Sequence, residues 1–518
     1  MNKTIRDIIF LCICCLLIFN NINTPKILYS LGGPLGNKLA IFPLIIGFIY
    51  TLWCQYKYHN VLEKKKCFFI FCIIYIVIML FSLIMGIYKF PYWDMVFSGP
   101  VQQIEKLPVV LNFLQSKGIY CDVQNLLSGW IVLRSIKSIF CELFWCFGSS
   151  YLFYCWYKND WNRGIKIVCS GFIVSSLIFI LYGIVDAAYL AGNITASRIL
   201  STLNPYFHPI CIANGWWPPL LWDGQLRSVF SEPSHIGNYL AAVLPIFLFY
   251  YLKSAKKYLL MFFAVLVFLT VCSNARTAYA MFGGILFLFT AMVLWKFRAD
   301  WKRLVSVILV CGIGFYSGVL FLDFVANNRT GFEQQNAVTI TSVLDNNLGS
   351  LTKSNERSNG ARYALIKTNL RIFGEHPFLG VGQGLVGAYM LDHYTEEEKN
   401  NVEVKLWINN SKKYGVFANN QGISGAMNEF VTRLAQNGIC GLLLFLLPFM
   451  YIIYNLYKKA DIIGKGYSYM MILALISVLV SGCNNDVNLV YGTYILLGLG
   501  YAMCFGKKYN DKDSYERT

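Results

Sequence analysis

The segment Arg227-Ser-Val-Phe-Ser-Glu-Pro-Ser-His235 sets an arginine, a carboxylate and an imidazole just ahead of an apolar run. Ser231 is of the type that caps a helix. Pro233 fits the start of one, where its missing N–H costs little. A helix opening there presents free N–H groups and a positive dipole end, which together suit an anion. Arg227 adds a permanent charge that can grip phosphate. Glu232 and His235 are candidate proton acceptors, and Ser234 a candidate substrate contact. The structural alternative is that Glu232 complements the helix dipole and Arg227 pairs with it. A second such place is Ser273-Asn-Ala-Arg276-Thr277. The apolar run before it, Tyr258 to Cys272, has 15 residues. At ~1.5 Å per residue it covers only ~22 Å of a ~30 Å hydrocarbon core. Arg276 is therefore expected below the membrane surface, where an arginine either serves a function or snorkels to the headgroups.

A third group begins with a helix expected over Asn359 to Phe373, closed by Gly374 and Pro377. Its Arg362 and Arg371 are nine residues apart, half a turn at 100° per residue, so they face opposite sides. One can serve a site; the other is structural. The stretch Glu375-His376-Pro-Phe-Leu-Gly380-Val-Gly382-Gln-Gly384 follows. It lacks the Lys-Ser/Thr of a P-loop and the strand context of a dinucleotide fold, and reads as a tight loop over the membrane. Asn428, Glu429, Arg433 and Asn437-Gly438 then converge at the mouth of another apolar run. There is no HExxH, and the single Asp-x-Asp, Asp511 and Asp513, lies in the terminal tail. With no cluster at metal spacing, neither metal nor cofactor is expected, and arginines would carry the electrophilic role.

These residues need elements to hold them. Of the 518 residues, 56% are hydrophobic and 14% charged, too little charge to cover a soluble protein of this size. That excludes a cytosolic enzyme, a disordered chain and a nucleic-acid-binding domain. About twelve apolar runs are long enough for membrane helices. They lie near 5–22, 39–56, 67–88, 136–157, 167–190, 236–252, 258–272, 277–295, 304–322, 434–457, 467–483 and 487–505. Lys3 and Arg6 precede the first, which reads as a retained anchor. The net charge of +17 collects in alternate connections, such as Lys64-Lys65-Lys66, Lys253/Lys256/Lys257 and Lys458/Lys459. The positive-inside rule then puts both termini in the cytoplasm. Three large connections, about 89–135, 191–235 and 323–433, fall outside. The third is expected to be a folded cap carrying function. The chain thus divides into an N-terminal bundle with two outer loops (1–235), central membrane helices (236–322), the large outer loop (323–433) and C-terminal helices with a tail (434–518). Most of the 17 cysteines read as apolar packing residues. The external Cys121 and Cys211 are the candidates for a disulfide, although nothing in the sequence brings them together.

The four segments, in this order, resemble the bacterial O-antigen polymerase and ligase superfamily. The matching pieces are Arg227 with Phe230-Ser-Glu-Pro-Ser234, Ser273-Asn-Ala-Arg276-Thr, Arg362 with His376-Pro-Phe-Leu-Gly-Val-Gly-Gln-Gly384, and Asn428 with Asn437-Gly-Ile-Cys-Gly441. The resemblance spans roughly 220 to 450. It implies an all-α, GT-C-like, metal-independent glycosyltransferase on the outer face of the inner membrane, acting on undecaprenyl-diphosphate-linked oligosaccharides within the bilayer. A chain-length regulator and a flippase are further candidate partners; nucleic acid is not. Ligases of the superfamily typically carry His-Asn in the last motif, whereas this chain has Met427-Asn428. That favours a polymerase over a ligase. On this reading Arg227, Glu232, Arg276 and Arg362 are the catalytic candidates. His235, Ser234, Arg371, His376, Asn428 and Glu429 are the substrate-binding ones. A lipid-linked oligosaccharide flippase is the rival from another class. It would more naturally show two related halves and no outer loop of about 110 residues.

Overall fold

The computed structural model describes residues 1–19, 38–59, 61–63, 65–100, 103–104, 106–208, 224–328, 339–347, 357–418, 426–484 and 492–506. Cys211 and the terminal tail with Asp511 and Asp513 lie outside them. Among the described residues every regular element is helical. The helices that build and position the site are α1 (Lys3–Leu16), α2 (Ile41–Tyr58), α3 (Lys66–Tyr88), α4 (Val123–Glu142), α5 (Ser149–Tyr157), α6 (Trp161–Leu190), α7 (His235–Ser254), α8 (Tyr258–Cys272), α9 (Arg276–Lys296) and α10 (Trp301–Asn328). After them come α11 (Arg357–Glu375), α12 (Val386–His393), α13 (Glu396–Lys399), α14 (Val402–Tyr414), α15 (Glu429–Lys458), α16 (Lys465–Ser481) and α17 (Gly492–Phe505). Within the described residues the apolar runs read from the sequence fall on helices, the run at 136–157 crossing from the end of α4 through a π-helical turn into α5. Among the described residues six helices are long and apolar enough to cross a membrane: α3, α6, α7, α9, α10 with the turn before it, and α15. That is the number these lengths carry, against the expected twelve; α8 has 15 residues, α16 17 and α17 14.

Local chemistry sets the helix ends. Asn2 Oδ1 accepts from the Thr4 N–H at 2.9 Å and starts α1, and the Asp160 carboxylate accepts from the Arg163 N–H at 3.2 Å to start α6. Outward faces stay apolar. On α3 the exposed residues Ile70, Ile73, Val77, Phe81 and Ile84 follow the helical repeat. A stripe of that kind is stable against lipid and costly in water. Inside, small residues let backbones close up. A side chain on Gly314 would meet the Ala264 carbonyl oxygen at 2.4 Å, and one on Gly318 would meet Val271 Cβ at 2.6 Å, so this Gly-x-x-x-Gly pair seats α10 on α8. The helix that matters most, α7, is buried nearly all round and packs on both α9 and α16.

The helix expected over Asn359–Phe373 is α11, which extends to Arg357 and Glu375. The start of α7 differs from the sequence reading. Ser231 does not cap it, because the chain makes tight turns through 232–234 and the helix begins at His235. The His235, Ile236 and Gly237 N–H groups donate to the carbonyls of Glu232, Pro233 and Ser234, at 3.2, 3.2 and 3.1 Å. Local i to i+3 bonds thus satisfy the donors that a capping side chain would have taken.

α15 is broken at Gly438, whose φ of 63° and ψ of −166° are not helical. The break frees backbone groups inside an apolar helix, and the glycine-rich loop satisfies them. Val381 and Gly382 N–H groups donate to the Ala435 and Gln436 carbonyls at 3.0 and 2.8 Å. In return the Ile439 N–H donates to the Pro377 carbonyl at 2.9 Å. Non-helical backbone at such a place is tolerated only when protein supplies the partners. The loop is therefore a splint for α15, in keeping with the tight loop expected from its sequence. A Cβ on Gly438 would lie 2.2 Å from the Phe378 carbonyl carbon. Gly438→Ala should destabilise the protein by about 1–3 kcal/mol, read as a lower unfolding temperature in detergent; an unchanged unfolding temperature would contradict the splint.

Candidate functional site

The backbone first joins two of the motifs. The Leu226 N–H donates to the Cys272 carbonyl at 3.1 Å, and Gln225 Nε2 to the Asn274 carbonyl at 3.4 Å. The Arg227 segment is thereby laid against the turn that ends in Arg276. Asn274 holds a φ of 44° in that turn, a conformation asparagine tolerates better than most residues. α7 and α9 then start side by side, because Gly237 leaves room for the Thr277 carbonyl: a Cβ there would sit 2.8 Å from that oxygen. Two helix N-termini, with their positive dipole ends, open together, the first N–H groups of α7 being already bonded within the preceding turn.

Arg362 arrives from α11. Its guanidinium donates to Asn484 Oδ1 at 2.8 Å, while Arg276 donates to Asn359 Oδ1 at 2.6 Å. Asn484 also donates through Nδ2 to Thr277 Oγ1. Burial pushes the Arg362 guanidinium below its usual range. Glu232 opposes that shift, Arg276 adds to it, and Glu403 opposes it, so Arg362 lies within electrostatic reach of all three. Ser234 Oγ donates to Glu232 Oε2 at 3.2 Å. His235 Nδ1 is 3.1 Å from Ser231 Oγ, and the ring lies beside Glu232 and the buried Lys38. Arg276 and Glu232 thus lie within electrostatic reach of Arg362, and His235 within reach of Glu232, near the starts of the two helices.

The other candidates sit elsewhere. Arg227 is 2% exposed and packs within electrostatic reach of Asp186, Tyr182 and His208. Asp186 accepts from the Arg227 and Ser228 N–H groups at 3.2 and 2.7 Å. Burial lowers the Arg227 guanidinium, with Asp186 opposing, and burial pushes His208 well below its usual range with Arg227 adding to the effect. Arg227 Nε and Nη2 and both His208 ring nitrogens find no hydrogen-bond partner among the described residues. Arg371 faces away from Arg362, as the half-turn spacing predicts. It pairs with Glu398 and donates to the His393 carbonyl at 2.6 Å. His376 stacks edge-on to Tyr389, 5.6 Å between ring centres, and burial lowers its pKa. Asn428 caps α15 through Oδ1, accepting from Phe430 and Val431 N–H groups at 3.1 Å each. Glu429 shares Arg433 with Glu142 from the end of α4, a buried ion triad with the guanidinium 3.9 Å over the Phe445 ring. Cys121 is a free, exposed thiol. Among the described residues no group of three or more His, Cys, Asp and Glu is placed to hold a metal ion.

Several of these partners escape a sequence reading. Asn359, Asn484 and Glu403 have no local signal, because their roles come from contacts with residues far along the chain; Thr277 lies in the Arg276 motif, but its partner does not. Glu142 and Asp186 did carry one: a carboxylate inside an apolar run is costly and marks a polar site.

The helices with outward apolar faces define a multi-pass helical membrane protein. Within it, residues 240–446 match the family model described as O-antigen ligase, which supports the resemblance to the O-antigen ligase and polymerase superfamily read from its motifs. That span holds Arg276, Arg362, the glycine-rich loop and the start of α15; Arg227 and Glu232 lie just ahead of it. No curated protein matches the chain.

Proposed function

We propose that this protein is a polysaccharide polymerase that joins oligosaccharide repeat units carried on undecaprenyl diphosphate, at the outer face of a bacterial inner membrane with both termini in the cytoplasm. The observation that supports this reading is that Arg276 and Arg362 are held through Asn359 and Asn484 at the paired starts of α7 and α9, with Glu232 within electrostatic reach of Arg362. Glycosyl transfer from a lipid diphosphate needs these parts. A hydroxyl oxygen of the acceptor repeat unit bonds to the anomeric carbon of the donor glycan. The bond from that carbon to the phosphate oxygen breaks, and undecaprenyl diphosphate leaves with the electron pair. The hydroxyl proton goes to Glu232. Negative charge grows on the phosphate oxygens, where Arg276, Arg362 and the two helix ends stabilise it best in a water-poor setting.

Arginine suits the task because its planar fork meets two phosphate oxygens at once. Polyprenyl tails would reach the site between helices whose outer faces are apolar. The large loop, with α11 over the helix ends, would cap it. The polymerase reading stands ahead of the ligase reading because Met427 occupies the place of the histidine those enzymes typically carry. Met427 has a φ of 50° and is 39% exposed, a partly open position next to the α15 cap. Deleting the gene tests the proposal in cells. Surface glycans should fall to a single repeat unit. Full-length polymer left unattached would instead indicate a ligase, and lipid-linked repeats trapped inside a flippase.

A further inference from the structure

We propose that Asn484 is a positioning residue of this site: its side-chain amide aims Arg362 without neutralising it and fixes its spacing from the helix that starts with Arg276. The inference rests on the glycosyl-transfer reading above and adds a residue to it.

Three buried or half-buried arginines show the contrast. Arg371 is bound by Glu398, and Arg433 by Glu142 and Glu429. A carboxylate partner holds a guanidinium firmly and cancels its charge, as a structural ion pair should. Arg362 instead donates to an amide oxygen, Asn484 Oδ1, at 2.8 Å. An amide orients the guanidinium while leaving its charge available to an anionic substrate. The other half of the same amide, Nδ2, donates to Thr277 Oγ1, one residue along from Arg276 in α9. One side chain therefore links the arginine of α11 to the helix end carrying the second arginine.

Asn484 is itself well held. Its N–H donates to the Ser481 carbonyl at 3.1 Å, continuing α16 into a turn. In that turn the Gly482 carbonyl accepts from the Glu429 N–H at 2.8 Å, and the Cys483 carbonyl accepts from Asn428 Nδ2 at 2.9 Å. Asn428 and Glu429 open α15, and the buried Glu142–Arg433–Glu429 triad pins that opening. The substrate-binding candidates Asn428 and Glu429 thus connect to the arginines through the Asn484 turn. Their role becomes geometric: they hold the residue that holds Arg362.

The deciding variants are Asn484→Asp and Asn484→Ala in the full-length protein, reconstituted in lipid nanodiscs. Two readouts are needed: binding of undecaprenyl diphosphate, and transfer with a lipid-linked repeat unit. Asn484→Asp keeps the shape and the acceptor but places a negative charge on Arg362. It should melt no lower than wild type yet bind undecaprenyl diphosphate about 10–100-fold more weakly, the scale of a charge-assisted contact. Asn484→Ala leaves the charge and loses the aim, so kcat should fall about 10–100-fold with a smaller change in KM. A merely structural asparagine predicts the reverse for the aspartate, which would pair with Arg362 and work like wild type; that result overturns the proposal. Wild-type protein that neither binds undecaprenyl diphosphate nor transfers glycan would remove the enzyme reading and the Asn484 role with it. Normal wild-type activity beside unaffected Asn484→Asp would remove the Asn484 role alone.

Discussion

Arg362→Ala should lower polymer formation by at least about 10²–10³-fold, the usual effect of deleting one preorganised donor to a developing oxyanion, whereas Arg371→Lys should keep substantial activity. The two residues share α11, so a general defect in that helix would affect both. They differ in surroundings. Arg362 points to Asn484 and lies within reach of Glu232 and Arg276, while Arg371 is tied to Glu398 and the His393 carbonyl within the large loop. Lysine at 371 retains the charge for Glu398 and loses part of the hydrogen bonding, a change in stability of roughly 1 kcal/mol or less for a partly exposed pair. Polymer length and amount per folded protein, measured for both variants, check this. Equal loss in the two would place the reacting groups elsewhere.

Hydropathy marked the long apolar helices, because a run of apolar residues in this composition has one stable fate, a helix; it missed the first half of α4, which starts at Val123 inside the connection expected over 89–135. The expected span of α11 lies within two residues of the observed one at each end, although the helix runs through Gly374, expected to close it, to Glu375. What sequence could not reveal is how helix ends are satisfied by distant chain. Ser231 looked like a cap, yet the turn through Pro233 moved the helix start to His235. Gly438 looked like one residue of a polar cluster at the mouth of α15. Its break is understandable only once the Pro377–Gly382 backbone is seen to fill it. The candidate site was legible in part. Glu232, Arg276 and Arg362, widely separated in sequence, do come together. Arg227, expected beside Glu232, faces Asp186 and His208 instead, because a carboxylate buried in α6 accepts from its backbone N–H. The amide partners Asn359 and Asn484 had no signature, since asparagine near a helix end ordinarily reads as a cap or a turn.

Glu232→Gln is the second variant with a large expected effect. The change keeps shape and removes basicity. If Glu232 takes the proton of the acceptor hydroxyl, transfer should fall by roughly 10²–10⁴-fold, with binding of the lipid-linked substrate near normal. Arg276→Lys should show the opposite pattern. Its charge remains but its planar fork is lost, so donor use weakens while the acceptor step is spared. If Glu232 instead only complements the helix end, Glu232→Gln should cost about 0.3–1 kcal/mol of stability and little activity. The most direct measurement is made on purified wild-type and Glu232→Gln protein, given lipid-linked repeat units in excess chelator, with polymer and released undecaprenyl diphosphate counted per folded molecule. The site described here predicts both products from wild type and almost none from Glu232→Gln. Near-wild-type yield from Glu232→Gln would contradict it and move the proton to His235 or Glu429; no release by wild type until a divalent ion is restored would contradict chemistry carried by arginines.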